Sequence, residues 1–360
     1  MSRRTAAGLL ALALMVGFVA WGWQQPVNYV TYRPGPTFNV LGALDGKPIL
    51  TITGRKTYPD DGQLRMVTVY QSSPDVHLSL LEMLSGWADP DVSLIPRSVV
   101  FQTNTTDKQV QQQSAEQMTS SQDAATAAAL TALHIPFSTT VDEQVRVAAV
   151  EKGSPADGKL RVGDLMLGID GKRLAGQTAL VGAIRARTPG RPVSVLVLRD
   201  GRERTFSMST MAAAGSPKQA RIGIQVQVTD IHHFTFPFKV TINVGEGVGG
   251  PSAGMMFALS IYDLLTPGSI TGGKTIAGSG EISTDGVVGA IGGIGQKIIA
   301  AQRDGARLFL VAKENCAEAA TAHYDRNKIR LVEVHTLSDA INAVNAWRAN
   351  PAAALPGCGS

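Results

Sequence analysis

The sequence predicts an α+β chain of several domains behind an N-terminal transmembrane helix. Three observations predict it. Residues 6–23, AAGLLALALMVGFVAWGW, pass without a charge. Residues 27–113 string short β-like runs between turn residues. The remainder interleaves β-branched runs with helix-forming segments. With 360 residues, 44% hydrophobic and 17% charged, the chain has apolar surface for two or three domains.

The apolar N-terminal run would extend over roughly 27 Å as a helix, close to the hydrocarbon thickness of a bilayer. Arg3 and Arg4 precede it and place residues 1–5 in the cytoplasm, while Trp21 and Trp23 fall where an interfacial aromatic belt sits. A cleaved signal peptide is the alternative, but cutting after Ala20 puts bulky Phe18 at the −3 position. Either way, residues from Gln24 onward are expected outside the cytoplasm, where Cys316 and Cys358 can form a disulfide pinning the tail, residues 348–360; two unpaired thiols are the other option. The net charge of +4 and the lack of a Lys/Arg run argue against nucleic acid as a partner. His232 and His233 are adjacent and His77, His134, His323 and His335 are scattered, with no metal-ligand spacing.

Within residues 24–113 the runs NYVTY, ILTIT, LRMVTVY and SVVFQ read as strands, punctuated by RPGP, YPDDG and SSPD; HLSLLEML, residues 77–84, reads as a short helix. This β-rich region carries no catalytic pattern. Residues 114–134 are rich in helix formers and lead into the next domain.

Residues 140–210 change character. VRVAAV and VSVLVL are strand-like, and GSPADGKLRVGDLMLGIDGKRL lies between them. Gly153, Ser154, Pro155, Ala156, Leu160, Gly163, Asp164, Leu167, Ile169, Asp170 and Gly171 resemble the pattern of a PDZ domain. The resemblance implies a second helix at residues 176–187. It also implies binding of an extended peptide as an added strand, with LHIPFSTT (residues 133–140) as the carboxylate-binding loop, or a spacer role only. Residues 211–220 read as a linker, and the last domain, residues 221–347, opens with RIGIQVQVTDI and FKVTINV.

PGSITGGKT, residues 267–275, fits the phosphate-loop pattern G-x-x-x-x-G-K-[ST]. A working phosphate loop needs a strand before it and a helix after it. Here AGMMFALSIYDLL before it is helix-forming and TIAGSGEIS after it is strand-like, so the match is read as a helix-to-strand loop with no nucleotide cofactor.

Gly250-Pro251-Ser252-Ala253-Gly254 fits G-x-S-x-G, the nucleophile elbow, but eight residues separate Ser252 from the strand-like KVTINV. A hydrolase of that type would draw on Asp304 or Asp325 with His323 or His335, and no context singles these out. A serine can instead be activated by a lysine whose pKa burial has lowered. Lys297 follows the Gly292-Gly293 turn and is flanked by Ile294, Ile298, Ile299 and Ala300, the setting such a base needs; a surface lysine is the other reading, as a helix cap is for Ser252.

Four ordered motifs now coincide. GPSAG holds Ser252, GSGEI holds Ser279 and Glu281, GVVGAIGGIGQKIIAA holds Lys297, and ARLFLVAKEN follows. Residues 221–347 so resemble the proteolytic domain of Lon proteases, and the whole chain resembles the membrane-anchored, PDZ-containing Lon-like proteases of bacteria. The resemblance implies a serine endopeptidase with no ATPase module and no cofactor. Ser252 would be the nucleophile and Lys297 the base, with Ser279, in place of the family's threonine, and Glu281 in support. It also implies protein or peptide substrates, a single-pass bacterial membrane location with the bulk of the chain extracytoplasmic, and a homo-oligomer, possible as a hexameric ring. Two departures stand out. Gly249 sits where many Lon enzymes carry an acidic residue, and KVTINV lacks their histidines. Gly249 keeps alive the alternative of a non-catalytic PDZ scaffold with a degenerate peptidase domain.

Overall fold

Capping chemistry sets where the main helices begin. Ser79 with Glu82, Thr106 with Gln109 and Thr336 with Asp339 each form a capping box, the cap side chain accepting from the third helical N–H and the third side chain bonding back. A computed structural model describes residues 3–101, 105–245 and 247–358; Met1, Ser2, Gly359 and Ser360, at the ends of the expected cytoplasmic segment and tail, lie outside the described residues, as does Gln102 of SVVFQ. The chain runs through α1 (Arg3–Gln24), β1 (Tyr29–Asn39), β2 (Gln63–Gln71), α2 (Leu80–Ala88), β3 (Ser93–Pro96), α3 (Arg97–Val100) and α4 (Asp107–Ala132). It continues with β4 (Ser138–Val150), β5 (Leu165–Ile169), α5 (Gly176–Arg185), β6 (Pro192–Arg199), β7 (Arg202–Ser209) and β8 (Ile224–Thr235). Last come α6 (Gly254–Leu265), β9 (Thr275–Ser279), α7 (Ile294–Arg303), β10 (Leu308–Ala312), α8 (Cys316–Thr321), β11 (Arg330–Val334) and α9 (Leu337–Ala349). The fold is mixed α/β in two units: residues 1–137 with 236–360, and the intervening 138–235.

The first unit is built on a mixed sheet of order β11-β10-β9-β2-β1-β3. β11, β10, β9 and β2 run parallel, and β1 and β3 add antiparallel. β10 reads LFLVA and is buried at every residue, the run of apolar side chains expected of a parallel strand covered on both faces. α4, α6 and α9 contribute to one core with Leu64, Met66, Ile276 and Leu310; Ile294 and Ile298 of α7 share a second with Val67, Ala277 and Phe309. The region of residues 24–113, to which the sequence assigned no role, thus supplies three strands of this sheet. The reason is non-local: β2 pairs with β9 some two hundred residues away, with Ile276 beside Leu64. SVVFQ, expected as a strand, instead gives α3, because pairing with β1 ends at Pro96 and the chain turns there.

The second unit is a sheet of order β7-β6-β5-β4-β8 with α5 packed on β4 and β5. Asp164 of the Gly-Asp turn is buried against Arg199, which donates from Nε at 2.7 Å and from Nη2 at 2.6 Å. This bidentate pair fixes the turn against β6. The expected linker at 211–220 is a hairpin of Met211–Ala213 with Ser216–Arg221, and β8 pairs with β4 along its whole length, so the sequence boundary at 221 falls inside this unit.

α1 contains an 18-residue stretch, Ala7–Gln24, long and apolar enough to cross a membrane, and its side chains are almost all exposed. The phosphate-loop look-alike runs from α6 to β9, and its Lys274 ammonium sits 4.6 Å from the centre of the Trp347 ring. Beside this loop Asp263 is buried; its Oδ1 accepts from the Ile270 N–H at 2.9 Å and its Oδ2 has no partner among the described residues. Burial, opposed by the Ile270 N–H and reinforced by the Asp60 carboxylate, pushes Asp263 up to about 7. Protonated Asp263 therefore contributes stability that is complete below the ordinary carboxylate pKa and lost as pH rises through about 7. Asp263→Asn retains the acceptor and offers a donor to Asp60. Its melting temperature should gain on the wild type between about pH 5 and pH 8, as thermal unfolding in detergent would show; a constant difference across that range contradicts the assignment.

Candidate active site

The serine loop is held from two sides. The Ser252 carbonyl accepts from the Ser279 hydroxyl and from the Gly280 N–H, both at 3.0 Å, and the Met255 N–H donates to the Gly280 carbonyl at 3.1 Å. These bonds stitch the start of α6 to the end of β9. On the other side stands α4. The Gly250 N–H donates to the Ser114 carbonyl at 3.0 Å, and the Ser121 hydroxyl to the Pro251 carbonyl at 3.1 Å. The glycines are where the turn and the packing need them. Gly250 has φ +86°, and a Cβ on Gly254 would lie 2.7 Å from the Ser121 hydroxyl. Ala253, not Ser252, is the helix cap, so the Ser252 side chain is not used to cap α6.

Gly249 gains a physical reason. A Cβ there would stand 2.6 Å from the Ser114 Cβ, so α4 fills the space into which an acidic side chain would project. α4 lies far from GPSAG in sequence. Its only early signal was the small residues, serine and alanine, that let helices approach closely.

Lys297 lies in the first turns of α7. Gly293 opens that helix in the left-handed region at φ 69°, with its Cα facing Val69 and Tyr32 so closely that a Cβ would come within 3.0 Å of Val69. β1 and β2 are thus the floor on which α7 sits. The loop before α7 is clamped by Asn315, whose Oδ1 accepts from the Ile291 N–H at 2.8 Å and whose Nδ2 donates to the Ile291 carbonyl at 2.9 Å. Cys316 follows and is joined to Cys358 as a disulfide, tying the tail to the start of α8.

The Lys297 side chain is 3% exposed, and its Nζ donates to the Ser279 hydroxyl at 3.1 Å. A hydrogen-bond chain therefore runs from Lys297 through Ser279 to the Ser252 peptide. Desolvation brings the Lys297 ammonium down to about 7, against the pull of Glu281 and Glu318, which favour its charged form. Partial burial raises both carboxyls above the ordinary glutamate value while Lys297 opposes the rise. Glu281 and Lys297 are thus electrostatic neighbours; Glu318, on α8, was not singled out in the sequence.

The alternative hydrolase residues do not assemble. Asp304 accepts from Thr37 at 2.7 Å and from Arg303, and Asp325 accepts from the Asn327 N–H. His323 stands 3.7 Å from Asp91 and His335 3.8 Å from Glu314. The last strand before the serine ends at Ile242, too early for an elbow. Among the described residues no cluster of His, Cys, Asp and Glu has metal-binding geometry.

In the second unit, LHIPFSTT leads into β4, which has β8 on one side and meets β5 on the other. The end strand is β8. It follows Arg221-Ile222-Gly223-Ile224, where Gly223 has φ +79° and would clash with Ser154 if it carried a Cβ. The sequence held this signal as a lone glycine between isoleucines, and it read only as strand.

Two domain families match the chain: residues 117–210 match the PDZ domain, and residues 211–345 the Lon protease (S16) C-terminal proteolytic domain. Among curated relatives, the Lon protease of Neorickettsia sennetsu is 32% identical over 118 residues, 32% of this chain and 14% of that protein. The Lon protease of Xanthomonas oryzae pv. oryzae is 32% identical over 133 residues, 35% of this chain and 14% of that protein. The chain thus spans a small part of the length of the relatives it matches. Among solved structures, the PDZ domain of an SdrC-like protein from Listeria innocua is 25% identical and covers 23% of this chain and 93% of that one, at a TM-score of 0.22, too low to carry an argument.

The Lys297 geometry has a stability signature. Its folded pKa is below its unfolded value, so the wild type loses stability as pH falls from about 10.5 to about 7 and no further below that. Lys297→Met removes the penalty. Its melting temperature should gain on the wild type over that window, and a gap that stays constant with pH would show that the ammonium is not desolvated.

Proposed function

We propose that this chain, which carries a PDZ domain and a Lon-type proteolytic domain, is a serine endopeptidase. It works through a Ser252–Lys297 dyad without a nucleotide step, is anchored in a bacterial membrane by α1, and recruits protein segments through the PDZ domain. The observation that carries the reading is the buried Lys297 amine, poised at about 7 and hydrogen-bonded through Ser279 to the Ser252 peptide.

In this reading the Ser252 Oγ attacks the scissile carbonyl carbon while its proton passes to neutral Lys297 Nζ. Backbone N–H groups of the loop at Ser252 and Ala253, ahead of the Gly254 and Met255 N–H groups that bond Pro251 and Gly280, stabilise the oxyanion. Collapse of the tetrahedral intermediate breaks the C–N bond, and Lys297 returns the proton to the leaving amine. A water then attacks the acyl-enzyme, giving its proton to Lys297, and Ser252 recovers it as the acid product leaves. Ser279 orients the amine, and Glu281 and Glu318 keep its pKa from falling further. Loosely folded segments suit a site with no unfolding motor, and a homo-oligomeric ring belongs to the same reading.

The test is cleavage of an unfolded protein without ATP. Wild type should be active, with the rate rising through about pH 7 as Lys297 loses its proton. Ser252→Ala and Lys297→Ala should each lose about 100-fold or more, and Ser279→Ala about tenfold. Activity surviving Ser252→Ala sinks the reading; no activity in any form favours a non-catalytic PDZ scaffold.

For recruitment, the open edge of β8 is the favoured dock. A peptide adding there as a strand would bring its end to Arg221–Ile224, beside α5, which packs on Ser216–Arg221. Hydrogen exchange on the full chain should show peptide protection at residues 224–230. Protection confined to β4 would instead favour the loop at 133–140.

A further inference from the structure

α2 is fastened directly to the end of the membrane-length helix. The Leu80 N–H donates to the Gln25 carbonyl at 2.9 Å, and Pro26–Val27 pair with Leu78–Ser79. A Cβ on Gly22 would meet the Leu81 side chain at 3.3 Å, so α2 packs on the last turn of α1. α2 is amphipathic. Leu80, Leu84 and Trp87 fall at i, i+4 and i+7 on one stripe, with Met83 beside it, while Glu82 lies opposite and is occupied with the Ser79 cap.

Leu80 and Met83 are half-buried, and the Leu84–Trp87 part of the stripe is exposed. Trp87 is 81% exposed and Leu84 44%. Two further exposed apolar residues belong to the same end of the unit. Val99, 75% exposed, is in α3, whose Arg97 N–H donates to the Asn28 carbonyl at 3.0 Å; Val76, also exposed, accepts from the Arg97 guanidinium through its carbonyl. Leu84, Trp87 and Val99 therefore lie on elements tied to the segment leaving α1, and Val76 is bonded to Arg97 of one of them. A soluble surface would expose them to water at a cost; at the boundary of a bilayer the same residues are favourable, with Trp at headgroup depth and Arg97 available to phosphates.

We propose that α2, with α3, is an interfacial membrane contact: the Leu84–Trp87 face lies in the headgroup region of the bilayer that α1 crosses, fixing the first unit at the lipid surface. The inference rests on α1 spanning the membrane, since the occupant is argued from continuity with it. Two points of attachment hold a domain at a set orientation, whereas one helix alone would let it swivel.

The test is site-directed spin labelling of the full chain in mixed phosphatidylcholine–phosphatidylglycerol vesicles. Because Cys316 and Cys358 are paired, a thiol reagent reads only an introduced cysteine. Labels go at Trp87→Cys and, as an independent position, Val99→Cys. Met15→Cys in α1 is the lipid reference. Val287→Cys is the water reference, since Val287 bridges Thr336 beside β11, at the opposite edge of the sheet from β3. The ratio of relaxation by oxygen to relaxation by a water-soluble nickel chelate should be higher at positions 87 and 99 than at 287 and lower than at 15, the order that headgroup depth requires. Nickel-accessible labels at 87 and 99 with a lipid-like label at 15 overturn the inference and leave the anchor standing. Spin–spin broadening at 87 overturns it in favour of contact between copies. A nickel-accessible label at 15 overturns the anchor and the inference together.

Discussion

The exclusion of water from the Lys297 amine is the constraint on which the first unit depends. An ammonium at the surface would keep its ordinary pKa and could not act as a base near neutrality. Burial changes that, and it takes much of the fold to achieve. β1 and β2 form the floor under α7, Gly293 lets the helix start flush against Val69 and Tyr32, and Asn315 clamps the loop before it. The disulfide then secures α8, which carries Glu318, to the tail. Two carboxyls nearby moderate the shift without cancelling it, because desolvation is the larger effect.

The serine is positioned by a different device. α4 packs against Gly249 and holds the loop with one backbone bond, from the Gly250 N–H to Ser114, and one from the Ser121 hydroxyl to the Pro251 carbonyl. Gly249 therefore reads as a consequence of a close helix approach. In sequence alone it counted toward a degenerate site. This shift in meaning bears on the proposed chemistry, since it supplies a reason for the departure that leaves Ser252 and Lys297 in place.

What the sequence made legible was local. A helix within HLSLLEML, the helices around Gly254 and Lys297 and the helix-to-strand order around PGSITGGKT follow from spacing and propensity, although α2 begins only at Leu80, where Ser79 caps it; ARLFLVAKEN was legible as a strand through the resemblance. What it hid was pairing between distant segments. Nothing in LRMVTVY announces that it will lie beside TIAGS, and nothing in Ser114 or Ser121 announces Pro251. SVVFQ failed as a strand because β propensity cannot see that its neighbour's ladder has ended. RIGI reads only as strand, because its strand closes the second unit's sheet from the C-terminal side, whereas LHIPFSTT stands ahead of β4.

The proposed dyad requires that neutral Lys297 make Ser252 nucleophilic. The most direct measurement is the pH-dependent rate of covalent labelling by a serine-reactive fluorophosphonate, with the modified residue located by mass spectrometry, in wild type and Lys297→Met. A working dyad gives a label on Ser252, a rate that climbs through about pH 7, and near-complete loss in the variant. A label on Ser252 that is indifferent to Lys297, or no label at any pH, would contradict it.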